Sequence, residues 1–218
     1  IGREMMYKSA DWVYNELMSY TEAQRERVDN LEYGGMGEAL WNIAYEAEKD
    51  CLYEKAGHYA VAAQWFEETK YLDAWFEDRD NISDKNNGHN NLDGAHANTT
   101  IPKMFALVSA YEVTNNEYYL TAAKNAFDLV VGENPDLSAG LCYAFGGQSR
   151  YENWQDAQGE LETDPHTAET CCTLNMLKLA DYLFRWTGDV KYAEFYELAF
   201  TNHTLASMDL ETAGKTYF

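Results

Sequence analysis

Three segments of the chain carry the same short signature: an aromatic residue, then Asp or Asn five residues on, then Tyr eight residues on. They are Tyr45–Asp50–Tyr53, Tyr111–Asn116–Tyr119 and Phe184–Asp189–Tyr192, with anchors 66 and 73 residues apart. The signature reads as the end of an amphipathic helix, a short turn, and a new helix capped by Asp or Asn that buries a Tyr in its first turn. Helical hairpins repeated at so long a period predict an all-α fold, part of an α/α toroid in which inner and outer helices alternate around a ring. An open helical solenoid is the other arrangement the pattern allows. Met5, Met6, Trp12, Val13, Leu17 and Tyr20 keep helical spacing, as do Leu40, Trp41, Ala44 and Tyr45. Further helices are expected near 55–68, 101–114, 117–131, 169–187 and 190–206, and three prolines in the whole chain leave room for them. Residues 81–94 read as an Asn-rich loop, and 137–164 as a long connection carrying Gly140, Gly146, Gly147 and Gly159. Loops of that length in a helical domain are commonly functional.

Charge narrows the partners. The formal net charge is −21, which repels phosphate backbones and anionic lipid heads, so neither nucleic acid nor a membrane surface is expected as a partner. No apolar run approaches the roughly 18 residues a membrane span needs. A 46% hydrophobic content with 15% aromatics is that of a folded chain, and 218 residues suffice for a sizeable core. Four cysteines, two of them adjacent at 171 and 172, do not make a secreted disulfide scaffold. The chain opens on Ile1 and closes on a β-like run, Gly214 to Phe218. These ends read as those of a fragment, with residues 1–206 forming part of a helical domain and 207–218 starting a connection to a β domain. No leader is legible, so the compartment stays open.

In a toroid the loops entering the inner helices crowd around the central cavity. His96 lies 15 residues before Tyr111, and Glu169 lies 15 before Phe184; Asn98 and Cys171 each precede their anchors by 13. Four chemically capable side chains thus fall at equivalent positions, and Gly34-Gly35-Met36-Gly37-Glu38 occupies a similar place in the first repeat. Glu169-Thr170-Cys171-Cys172 puts a carboxylate and a thiol two residues apart at a helix start, where both suit one zinc ion. The other reading makes the cysteines packing residues and Glu169 a charge favoured by the helix dipole. Around His96, any of Asn98, Thr99 and Thr100 suits a helix cap, with Pro102 in the first turn. His96 itself, placed before the cap, suits a sugar-hydroxyl donor or a structural histidine. Glu152 follows Gly146-Gly147 and stands among aromatics, where a raised pKa makes a general acid/base; an exposed loop carboxylate is the alternative.

Taken together, Tyr33 to Trp41, His96-Ala-Asn-Thr-Thr-Ile-Pro-Lys103, Gly146-Gly147 with Glu152, Glu169-Thr-Cys171 and Leu183 to Asp189 resemble the β-L-arabinofuranosidase family, glycoside hydrolase families 127 and 146. These were first grouped as a bacterial domain of unknown function. The resemblance runs over nearly the whole chain. It implies an (α/α)6 barrel followed by β-sandwich domains, and a retaining exo-glycosidase whose nucleophile is a zinc-bound cysteine thiolate. The family's metal takes one Glu and three Cys. Glu169 and Cys171 match the Glu-x-Cys part, while the other two cysteines, nucleophile included, belong to a later Cys-Cys motif that these residues do not contain. Glu152 matches the acid/base and His96 a sugar-binding residue, with Glu38 at another pocket position. Cys172 departs from the family pattern. The implied partner is an arabinose-containing oligo- or polysaccharide. Two other classes stay open on the residues alone: a zinc-free toroid enzyme, such as a sugar epimerase or an unsaturated-uronide hydrolase, and a non-catalytic saccharide-binding paralogue.

Overall fold

The computed structural model describes residues 1–29, 34–77, 96–131, 145–147, 150–153 and 169–216. The loops expected at 81–94 and over most of 137–164 lie outside the described residues. What is described is helical apart from one short hairpin. In order come α1 (Gly2–Ser19), α2 (Glu22–Asp29), α3 (Met36–Lys49), α4 (Tyr53–Gln64), α5 (Thr69–Phe76), α6 (Ala97–Thr114) and α7 (Glu117–Val131). The strands β1 (Phe145–Gly147) and β2 (Arg150–Asn153) follow, then α8 (Thr170–Thr187), α9 (Val190–Ala199) and a π-helical turn, Phe200–Leu205. No helix here is long and apolar enough to cross a membrane.

The helices pair as hairpins: α3 packs along α4, α6 along α7, and α8 along α9. The first members of the pairs also pack on one another, with α6 between α3 and α8. Contacts along α6 and α8 repeat at one offset. Asn98 meets Asn175, and seven residues later Phe105 meets Tyr182 with ring centroids 6.3 Å apart. Helices that keep a constant offset over two turns run in the same direction. α3 joins them in parallel, since Gly34 sits against Pro102 and Gly37 against Ala106. A β-carbon on Gly34 would come 3.2 Å from the Thr99 carbonyl oxygen, so a larger residue there would push the α6 backbone away by a few tenths of an ångström. Three parallel helices, each followed by a return helix, fit an α/α toroid and an open helical solenoid alike; taking the three as an inner layer, closure into a barrel needs more hairpins than these. Fully buried alanines, among them Ala44, Ala62, Ala63, Ala122, Ala126 and Ala180, let the two layers approach closely around Trp41, Tyr59, Met104, Leu179 and Tyr192.

Two of the three signature turns form as expected. α6 and α8 each end on a left-handed residue, Asn115 (φ 52°) and Gly188 (φ 67°), whose N–H bonds the anchor carbonyl of Tyr111 or Phe184. Asn116 and Asp189 then cap α7 and α9, accepting from the N–H groups of Tyr118 and Lys191. Tyr119 and Tyr192 are buried. The first turn corrects the expectation. Its left-handed residue is Cys51 (φ 59°), after Asp50 rather than before it, and Asp50 ends α3 instead of capping α4. The Asp50 carboxylate accepts from Arg3 and from the Tyr7 hydroxyl of α1, 2.7 and 2.8 Å away. Tyr53 is consequently 69% exposed, and Tyr59, two turns on, takes the buried place. α1 turns much of its expected stripe inward, Leu17 buried and Met6, Val13 and Tyr20 packed partly buried on the core, but two members of the stripe face out. Tyr7, Ala10 and Leu17 are buried, Met5 and Trp12 are exposed, and Asp11 bonds Lys55 at 2.5 Å and the Tyr59 hydroxyl at 2.7 Å.

A cavity of about 30 Å³, room for about one water and too small for a sugar ring, lies among Trp41, Phe66, Glu67, Trp75 and Lys103. Glu67 accepts the Tyr119 hydroxyl on both oxygens, at 3.0 and 3.2 Å. Burial pushes its carboxyl from 4.5 up to about 7, with the Tyr119 hydrogen bond pulling the other way. A carboxyl raised on folding binds its proton more tightly in the folded state, so stability falls as pH climbs from about 4.5 to about 7 and levels off above. The loss expected from Glu67 is on the order of 2 kcal/mol. Urea unfolding at pH 5 and pH 8 should show Glu67→Gln less pH-sensitive than the parent by that amount. Equal pH dependence in the two proteins would remove Glu67 as its source.

Candidate metal and substrate site

Glu169 and His96 are the N-cap residues of α8 and α6, both extended just before their helices begin. His96 therefore does not precede the cap, as the sequence suggests, but makes it. Its Nδ1 accepts from the Thr99 N–H at 3.2 Å and lies 3.0 Å from the Thr99 hydroxyl. Asn98 and Thr100 are left with other work. Thr100 donates its hydroxyl to the His96 carbonyl at 2.8 Å, and Asn98 meets α8. Pro102 sits a turn further in than a first-turn proline, and that has a structural effect. A proline offers no N–H to the carbonyl four residues before it, here Asn98. Asn175 of α8 fills the gap, its Nδ2 lying 3.4 Å from the Asn98 carbonyl oxygen and 2.9 Å from Oδ1.

That contact fixes where the two candidate groups stand. The 77-residue offset sets His96 level with Thr173, so Glu169 lies one helical turn, about 6 Å, further along the axis. Equivalent positions in the repeat are thus staggered by a turn between neighbouring inner helices, yet His96 and Glu169 occupy the same end. Glu169 is 2% exposed, and its side chain does not cap the helix. Cys171 is half-buried, Cys172 fully buried, and their sulfurs are 3.8 Å apart with no disulfide between them. One carboxylate oxygen of Glu169 and the two sulfurs all lie within 4.8 Å of one another. Two thiols and a carboxylate converging in a buried place form a donor set that fits a thiophilic divalent cation such as zinc.

A polar stripe runs down α8 at helical spacing: Cys171, Asn175, Lys178 and Tyr182. Glu38, buried at the start of α3, is bound by that stripe. Lys178 Nζ donates to Oε2 at 2.6 Å and the Tyr182 hydroxyl to Oε1 at 2.7 Å. Lys178 also lies 4.4 Å over the Phe105 ring. Burial and the Glu38 bond push the Tyr182 phenol well above its ordinary range. Glu38 thus shares the stripe with Cys171, two helical turns away along α8, and both of its oxygens are engaged.

Behind the donor set stands a pair that no motif announced. Thr173, whose N–H bonds the Glu169 carbonyl, places its hydroxyl 2.7 Å from Nδ1 of His203 in the π-helical turn. Burial lowers the His203 pKa, which favours the neutral ring. π-Helical turns commonly mark functional sites. Asn175, Lys178 and Tyr182 were detectable in principle, as three polar residues at helical spacing on one stripe of α8.

Glu152 lies in β2, paired antiparallel with β1 and packed beside α6, the helix that His96 caps. Its side chain lies outside what is described. No curated protein matches the chain. A family model, the β-L-arabinofuranosidase GH127 catalytic domain, matches residues 3–218. With inner helices that present Glu169-x-Cys171 and His96 at one end, and with that match running over nearly its whole length, the chain belongs to the GH127 β-L-arabinofuranosidase catalytic-domain family, a family of glycoside hydrolases.

Proposed function

We propose that the chain carries part of the active site of a retaining, exo-acting β-L-arabinofuranosidase that acts on arabinose-containing saccharides. In this reading residues 1–206 are part of an (α/α)6 barrel. The observation that carries it is the convergence of the buried Glu169 carboxylate and the Cys171 thiol at the His96 end of adjacent parallel helices.

Glu169 and Cys171 would hold the metal. The remaining ligands and the nucleophilic thiolate are assigned to a Cys-Cys pair outside these 218 residues. Bound there, zinc supplies a positive charge that keeps a thiol deprotonated near neutral pH. Thr173, with His203 behind it, steadies the first turn of α8 and so the direction of the Glu169 carboxylate. His96 has its Nδ1 turned to its own helix, which leaves Nε2 as the ring atom that meets a sugar hydroxyl. Glu38 holds Lys178 and Tyr182 in place along the same stripe, a positioning role at the substrate pocket. Glu152 gives its proton to the leaving glycosidic oxygen, then takes one from the water that releases the sugar.

The test is metal analysis and product stereochemistry on the full-length protein. About one tightly held zinc per chain is expected, with release of arabinose of retained β configuration from a β-L-arabinofuranoside. Activity that survives complete zinc removal would favour a zinc-free toroid enzyme. Saccharide binding without turnover would favour a non-catalytic paralogue.

A further inference from the structure

We propose that Lys178 is a substrate-binding, specificity-determining residue, whose ammonium group donates to a hydroxyl of the terminal pentofuranose on the side away from C1. The inference rests on the arabinofuranosidase reading above and gives a contact with the sugar to a residue that so far only pairs with Glu38.

The Lys178–Glu38 bond shows which face of the helices is concave. α6 lies between α3 and α8, yet Lys178 Nζ on α8 reaches Oε2 of Glu38 on α3 at 2.6 Å. The bond has to pass over α6, and it does so above Phe105, whose ring centre lies 4.4 Å from Nζ. Packed helix axes stand about 8–10 Å apart, so two side chains span a middle helix only where the layer bends toward them. The concave side of α3, α6 and α8 is therefore the side that carries Glu38, Phe105, Lys178 and Tyr182. Cys171 belongs to the same stripe of α8, two turns nearer the helix start. That separation is about 10 Å along the axis, and helical side chains lean toward the N-terminus. The gap suits a single furanose ring. With C1 at the thiol end, its 3- and 5-hydroxyls turn toward Lys178.

Lys178 is also the member of this cluster with donors to spare. Both Glu38 oxygens are taken, one by Lys178 and one by Tyr182. The Tyr182 hydroxyl donates to Glu38 and is bonded in turn by Asn42. An ammonium has three N–H donors, and among the described residues only Glu38 accepts one from Lys178. The lysine side chain is 41% exposed, against 10% for Glu38. Glu38 and the rings of Phe105 and Tyr182 hold a flexible side chain in one place, which lowers the ordering cost of a further hydrogen bond. Glu38 also cancels its charge. A lone ammonium would favour a uronate, whereas a neutral pair with unspent N–H groups suits the hydroxyls of an uncharged pentose.

The experiment compares kcat/KM of the full-length protein and its variants on an aryl β-L-arabinofuranoside and on the 3-deoxy and 5-deoxy analogues, with circular dichroism to verify folding and zinc content measured alongside. For the parent, removing the hydroxyl that Lys178 meets should lower kcat/KM by about 10–100-fold. Lys178→Met should lose about that factor on the complete sugar and almost nothing on that one analogue, with zinc content unchanged. Lys178→Arg, which keeps donors, should restore part of the discrimination. Removing the lysine alone strands a buried carboxylate, so Glu38→Gln with Lys178→Met is compared with Glu38→Gln, and the same loss of discrimination is expected. If Lys178→Met and the paired variant lose rate by one factor on all three sugars, or lose none, the lysine only braces α3 against α8. The inference is then overturned and the arabinofuranosidase reading stands. A parent that cleaves no β-L-arabinofuranoside overturns both.

Discussion

Glu152→Gln in the full-length enzyme should slow hydrolysis of a natural β-L-arabinofuranoside by about 10²–10⁴-fold, the usual worth of a positioned general acid. Its zinc content should stay that of the parent. An aryl arabinofuranoside with a good leaving group needs little protonation, so its cleavage step should suffer far less. Glu169→Gln should behave in the opposite way. It removes a buried donor from the set at the start of α8, lowers zinc content, and impairs both substrates alike. On the proposed assignment the two glutamates, seventeen residues apart in sequence, have different work. Zinc loss in Glu152→Gln, or full activity of that variant on a natural substrate, would falsify the assignment.

Trp41→Ala should cost about 3–5 kcal/mol of folding stability, the range for deleting a large buried aromatic. Trp41 is 1% exposed, packs edge-on against Tyr119 at 6.1 Å, and borders the small cavity beside Glu67. Its removal would join that cavity to a much larger void between α3 and the return layer. Trp41→Phe keeps most of the volume and should lose about a third as much. Urea midpoints should move without a change in slope, and a loss below about 1 kcal/mol for Trp41→Ala would mean the layers close over the gap.

The helical hairpins at 111–119 and 184–192 were legible because local chemistry decides them. A left-handed Asn or Gly followed by a capping Asn or Asp specifies the turn whatever the rest of the chain does. The first hairpin shares their letters but not their geometry, because Asp50 is claimed by Arg3 and Tyr7 from a helix outside the repeat. That is a tertiary choice, invisible to spacing. In α1 the apolar spacing found Leu17, Met6, Val13 and Tyr20 on the core side, while bonds from Asp11 to Lys55 and Tyr59 bring a polar residue to that packing where spacing gives no sign of it. At the site, Glu169 and Cys171 stand together because two residues at a helix start cannot be far apart. The bond from Asn175 to Asn98 joins residues 77 apart in sequence, and the pairing of Thr173 with His203 depends on a π-helical turn that no sequence rule foretells.

The proline in α6 has a consequence for how the two candidate groups are held at one end of the fold. By withholding one N–H, Pro102 leaves the Asn98 carbonyl to a donor from the next inner helix, and Asn175 takes it together with the Asn98 side chain. The spacing between the histidine end of α6 and the thiol end of α8 is therefore set across space, by two side chains. Replacing either asparagine would therefore loosen the hold between the two helix ends without touching His96, Glu169 or Cys171 themselves.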